Sequence, residues 1–130
     1  MYYVVYGLLW LLSLLPLRGL YILSDGIYGL VFYIVKYRKD VVMKNLAIAF
    51  PEKTEKERKQ IAKRFYHNLI DMFIETIKML SVSDRMLEKR FTANWELINA
   101  LHATGKSVQV HVGHNFNWEW GNLVMTKKTI

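Results

Sequence analysis

The chain has 130 residues, 52% of them apolar, a formal net charge of +7 and no cysteine. That length suits one modest domain. The lack of cysteine excludes disulfides, thiolate zinc sites and a cysteine nucleophile.

Charge is unevenly spread. Residues 1–35 carry only two charged side chains, Arg18 and Asp25, whereas residues 36–64 hold ten Lys/Arg against four Asp/Glu. An apolar front followed by a basic block points to an anionic membrane surface. A basic patch also suits nucleic acid, but the apolar front favours membrane lipids as the partner and no nucleic acid.

The first segment, "MYYVVYGLLWLLSLLPL", has no charged side chain. Its length lies near the lower limit of about 17 residues for a spanning helix. A secretory signal opens on positive charge and closes at a small-residue cleavage site. Neither is present, so the segment is expected to be retained. Pro16 should break the helix, because it lacks an amide proton and disfavours helix in the residue before it. A second apolar run follows, Gly19 to Val35. Its less apolar positions, Arg18, Ser24, Asp25, Gly26 and Gly29, mostly cluster at helical spacing, and its glycines would allow another helix to approach closely. A buried helix of a soluble domain is one reading. A spanning segment, a short hairpin or a helix lying in the interface are the others. Residues 1–35 are assigned as a hydrophobic membrane anchor, with the basic block facing the cytoplasm by the positive-inside rule. Residues 36–130 are assigned to the body of the domain.

The middle begins with a helix start. Thr54 with Glu57 three residues later makes a capping box, preceded by Pro51. Ile61, Phe65, Leu69, Phe73, Ile77 and Leu80 then fall at helical spacing. The opposite stripe is Arg64, Asn68, Asp71, Glu75 and Lys78. Asp71 and Glu75 point the same way. A paired acid catalyst is conceivable there, but a solvated helix face is the expectation, with His67 at the surface or edge. Ser81 or Ser83 should open a short helix. No glycine-rich phosphate loop and no solenoid-type repeat is present.

From residue 94 the pattern becomes helix, strand, helix. Asn94 can cap "WELINALHA", and Gly105 sits where a helix end wants a left-handed residue. Lys106–Val112 alternates, with Val108, Val110 and Val112 on one face of an expected strand. Gly113 is a turn residue, and Asn117 can cap a second helix, "WEWGNLVM". The fold class expected is therefore α/β: a helical N-terminal part with its anchor, then one strand-turn-helix. His114 falls in the turn and Glu119 in the first turn of the helix. Asn-Trp-Glu also occurs at Asn94–Glu96, so alone it means only that a helix starts. The second copy adds Gly113-His114 at a strand end, where open α/β layers place their chemistry. His114 has the chemistry of a general base near neutral pH. Glu119 could hold its tautomer and balance its charge. From spacing alone the signal is weak.

The chain resembles the N-terminal part of the bacterial lipid A biosynthesis acyltransferases of the late, lauroyl/myristoyl-transferase type, within the wider class of His-x4-Asp/Glu glycerolipid acyltransferases. The resemblance rests on the apolar N-terminus, "KYRKDVVMKNLAIAFPEKTEKER", "DMFIETIKML" and, most specifically, "GKSVQVHVGHNFNWEW". It implies His114 as general base and Glu119 as its partner. It also implies acyl transfer from an acyl carrier protein thioester to a hydroxyl of a lipid A precursor, at the cytoplasmic side of the inner membrane, with no cofactor or metal. Family members continue well past this motif with more strands and helices, so the glycerolipid-acyltransferase-like fold is expected to be incomplete in these 130 residues.

Two rival readings stand beside this one. A metal site of His111, His114 and Glu119 suffers because positions 111 and 114 point to opposite faces of a strand. A nonenzymatic membrane adaptor would take the apolar front and basic block as the whole function, with His114 structural. A different lipid acceptor is a further alternative.

Overall fold

The computed structural model describes residues 1–109, 111, 113 and 117–128. It divides into two compact units: Leu15–Glu75, and Met1–Leu14 together with Thr76–Ile130.

In the first unit, Pro16 acts as expected. Helix α1 (Tyr2–Ser13) ends before it, and α2 (Leu17–Gly29) begins after it with Pro16 in extended backbone at the N-cap. The apolar run continues as a π-helical stretch, Leu30–Val35, which ends on Lys36 in left-handed backbone. Arg38 repeats that conformation and starts α3 (Lys39–Ala49), a helix the basic composition had masked. The capping box then opens α4 (Glu55–Lys78). The Thr54 amide donates to Glu57 Oε2 at 2.8 Å, and the Glu57 amide donates back to Thr54 Oγ1 at 3.3 Å. Phe32, Ala62 and Tyr66 form the core, covered by Tyr28, Val31, Val42, Met43 and Leu46. The Tyr66 hydroxyl donates to the Tyr37 carbonyl, and burial pushes this phenol above its ordinary pKa, so it remains a donor.

The buried row of α4 is Ala62, Tyr66, Ile70 and Ile74, while Phe65, Phe73 and Leu80 are exposed. The sequence stripe beginning at Ile61 is therefore not the face that packs. A four-residue step overshoots the 3.6-residue turn, so both rows fit the period and the neighbouring helices choose between them. The expectation of a solvated Asp71–Glu75 face is also overturned, since Glu75 is only 4% exposed. Its carboxylate accepts from the Tyr21 hydroxyl, and Asp71 Oδ1 accepts from Ser24 Oγ at 2.5 Å. His67 bridges Asp25 (2.8 Å) and Asp71 (3.1 Å). A buried polar group needs a partner, and the polar positions of α2 supply these.

In the second unit, the C-terminal carbonyl of α1 is closed off by protein. Ser13 O accepts from Lys78 Nζ and from Ser81 Oγ, both at 2.7 Å. A cation at a helix C-terminus also meets the negative end of its dipole. A 3₁₀ turn, Met79–Ser81, leads to α5 (Asp84–Arg90), capped by Ser83. Helix α6 (Trp95–Ala103) is capped by Asn94, whose Oδ1 accepts from the Leu97 amide at 3.0 Å. Gly105 takes φ +70 after it, as expected. Helix α7 (Trp118–Lys128) closes the unit.

The expected strand is not present among the described residues, which are helical or irregular throughout. Lys106–Gln109, His111 and Gly113 are irregular; Val110 and Val112 lie outside the described residues. A strand needs a neighbour to accept its ladder hydrogen bonds, and this sequence contains no second alternating run. The α/β expectation therefore reduces, for the described part, to helices.

Candidate functional site

The candidate site is built on α7. Three things fix this helix. Trp120 and Val124 are buried with Leu87, against Met86, Phe91, Trp95 and Leu123. Gly121 lies against the Phe91 ring so closely that a Cβ there would meet ring carbons at 3.0 and 3.2 Å. At the C-terminal end, Lys127 pairs with Asp84 and Lys128 with Glu88. The hydrogen bond from Lys127 holds the Asp84 carboxyl below the ordinary aspartate pKa. Basic residues in the last turn of α7 also suit its dipole. Arg90 stacks its guanidinium 5.2 Å from the centre of the Trp120 ring.

The first turn of α7 is different. Asn117 adopts φ +67, and its carbonyl accepts from the Trp120 amide at 3.2 Å. Asparagine tolerates this left-handed backbone better than most residues. Its side chain does not do what the sequence suggested. Asn117 Oδ1 is buried without a hydrogen-bond partner among the described residues, so it is no cap in the sense that Asn94 is. Glu119 Oε2 and Trp120 Nε1 are buried and unpartnered in the same sense. Buried polar atoms are nearly always satisfied in native proteins, so three such atoms within four residues mark a place built around further polar groups.

Of the residues singled out by sequence, Glu119 stands in this turn as expected, with its carboxylate partly buried. His114 lies outside the described residues. His111 is exposed. Trp120 and Gly121 were not anticipated as parts of the site. The doubled tryptophan around Glu119 was the available signal for Trp120. Nothing in the sequence announced the contact of Gly121 with Phe91.

Comparison with known proteins adds family information. Over 60 residues the chain is 40% identical to the lipid A biosynthesis lauroyltransferase of Escherichia coli (strain K12). That stretch takes in 45% of this chain and 20% of the relative, so the similarity spans about a fifth of the relative's length. No solved structure matches the chain. The family model for bacterial lipid A biosynthesis acyltransferases matches residues 1–129. With nearly every residue inside that match, the chain belongs to the bacterial lipid A biosynthesis acyltransferase family.

Proposed function

We propose that the protein transfers a fatty acyl chain from an acyl carrier protein thioester to a hydroxyl of a lipid A precursor, and that it works at the cytoplasmic face of the inner membrane. Residues 1–35 serve as the anchor, and residues 36–130 form the N-terminal part of the acyltransferase domain. The single observation that carries the site is Glu119 Oε2, buried and without a partner among the described residues, at the start of a helix packed on Leu87. A buried carboxylate oxygen without a donor is costly, and a histidine N–H is the donor that the His-x4-Glu spacing supplies.

The chemistry follows from the residue types. The acceptor hydroxyl gives its proton to the His114 imidazole as its oxygen bonds to the acyl carbon. The carbon–sulfur bond then breaks, and the thiol of the carrier leaves with the proton returned by His114. Glu119 keeps the imidazole in the tautomer that can accept, and stabilises the cation formed. Amides of the first turn of α7 lie at the positive end of the helix dipole, where an oxyanion is favoured.

A positioned general base contributes about 10²–10⁴-fold. In the full-length protein, His114→Ala should lose turnover by that factor and Glu119→Gln by less. The assay is transfer from acylated carrier protein to a lipid A precursor in mixed micelles. Near-normal turnover in His114→Ala would overturn the mechanism.

A further inference from the structure

Helix α2 and its π-helical continuation, Leu17–Val35, are 19 residues long and apolar enough to cross a bilayer by length and composition. What the segment touches argues otherwise. We infer that it lies flat in the interface of one anionic leaflet, with one face on lipid and the other on α4; this rests on the membrane part of the proposed function and deepens it.

The inner face of the segment is polar and bonded along its length. Tyr21 donates to Glu75, Ser24 to Asp71, and Asp25 pairs with His67. Further along, Tyr28 packs edge-on to His67 with ring centres 5.2 Å apart, and Phe32 meets Tyr66 at 5.4 Å. Residues 75, 71, 67 and 66 of α4 thus track residues 21, 24, 25–28 and 32 in reverse order. A spanning α2 would carry this stretch of α4 to the bilayer centre. With it would go Arg64, His67, Asp71 and Glu75, which the hydrocarbon core does not accept without a large cost.

The outer face has the opposite chemistry. Ile22 and Ile34 are 73% and 74% exposed, Leu30 is 49% exposed, and a Cβ added at Gly26 would meet nothing. The charged side chain on this row is Arg18, exposed at its N-terminal end, where a long cationic side chain can reach the headgroups. Cations of the basic block stand at the C-terminal end of the segment: Lys63 lies 5.7 Å from the ring centre of exposed Tyr33, and Lys39 lies 4.3 Å from that of the buried Phe32. Tyr33 and Tyr37 are exposed beside them. An apolar helix face, interfacial tyrosines and a cationic rim together fit an anionic lipid surface.

These 130 residues hold no cysteine, so a single reporter can be placed within them once any cysteine elsewhere in the full-length protein has been replaced. The full-length protein carrying Ile22→Cys, Leu30→Cys or Ile34→Cys would be labelled with an environment-sensitive fluorophore. It would then be bound to vesicles of phosphatidylethanolamine and phosphatidylglycerol containing quenchers at known depths. A flat helix places all three labels at one shallow depth. A spanning helix separates the first two by about 12 Å along the normal, from the rise of 1.5 Å per residue. Equal shallow depths, with binding weakened about tenfold or more in neutral vesicles, would support the inference. A graded depth through the bilayer centre would overturn it in favour of a spanning helix. Absence of quenching at all three positions, on vesicles that still bind the protein, would overturn it in favour of a face covered by protein. Failure of membrane binding altogether would instead overturn the anchor assignment, and turnover in mixed micelles tests the chemistry separately.

Discussion

The seam between α2 and α4 and the first turn of α7 are both clusters of polar groups, and they differ in one respect. In the seam every carboxylate has a donor: Glu75 has Tyr21, Asp71 has Ser24 and His67, Asp25 has His67. At the start of α7, Asn117 Oδ1, Glu119 Oε2 and Trp120 Nε1 have none among the described residues. A closed network contributes to stability and specifies which faces meet. An open one carries a standing cost and belongs where another group is to be bound.

The comparison is broken most directly through chemistry. His114→Ala should reduce turnover by about 10²–10⁴-fold, while Asp71→Ala in the seam should leave turnover per folded molecule close to that of the parent. If the seam variant lost as much activity as the His114 variant at equal folded fraction, the division into structural and functional clusters would fail.

Stability provides the converse measurement. Asp71→Ala leaves Ser24 and one nitrogen of His67 without their acceptor, and an orphaned buried polar group costs about 1–3 kcal/mol. Glu75→Ala should act similarly through Tyr21. Replacing Ser24 and Asp71 together by Ala should cost less than the sum of the two single changes, because the pair is removed whole. Urea melts of the detergent-solubilised protein read this; additive losses would mean that the two groups do not interact.

A smaller effect separates backbone from side chain in the first turn of α7. Asn117 holds left-handed backbone, and its Oδ1 caps nothing among the described residues. Asn117→Ala should therefore destabilise by less than the full cost of left-handed backbone to a Cβ-bearing residue, about 1–2 kcal/mol, because asparagine already bears part of that cost. Asn117→Gly should be close to neutral. At Asn94, whose side chain does cap, Gly should also cost only a few tenths of a kcal/mol, but Ala should cost about 0.5–2 kcal/mol. A large loss in Asn117→Gly would show that its side chain is in use.

The smallest effect expected is at the far end of α7. The Asp84 carboxyl has its pKa lowered in the folded chain by Lys127. A group so depressed stabilises the fold above its unfolded pKa and loses that contribution as pH falls through the folded value. Both partners are exposed, so salt screens the pair. Asp84→Asn should leave the melting temperature at neutral pH and moderate salt nearly unchanged. Its difference from the parent should vanish in strong acid. A difference that grew on acidification would have the wrong sign for this pair.

Local physics was legible in the sequence. Pro16 between two apolar runs, Thr54 with Glu57, Ser83, Asn94 and Gly105 each act through neighbours within a few residues. Each does in the structure what its chemistry predicts. The family resemblance was legible as well, because the stretches that carry it are unbroken runs of sequence. What only the tertiary structure decided was partnership. Helical periodicity could not say whether Ile61-Phe65-Leu69 or Ala62-Tyr66-Ile70 would be buried, because both rows repeat every four residues and only the helices opposite distinguish them. It placed Asp71 and Glu75 in water, because a carboxylate is stable inside only when donors arrive from another helix; Tyr21 and Ser24 lie about fifty residues earlier. For the same reason the alternating run near Val108 did not become a strand in its described residues. Alternation is a local property, whereas a strand is made by the neighbour that accepts its hydrogen bonds.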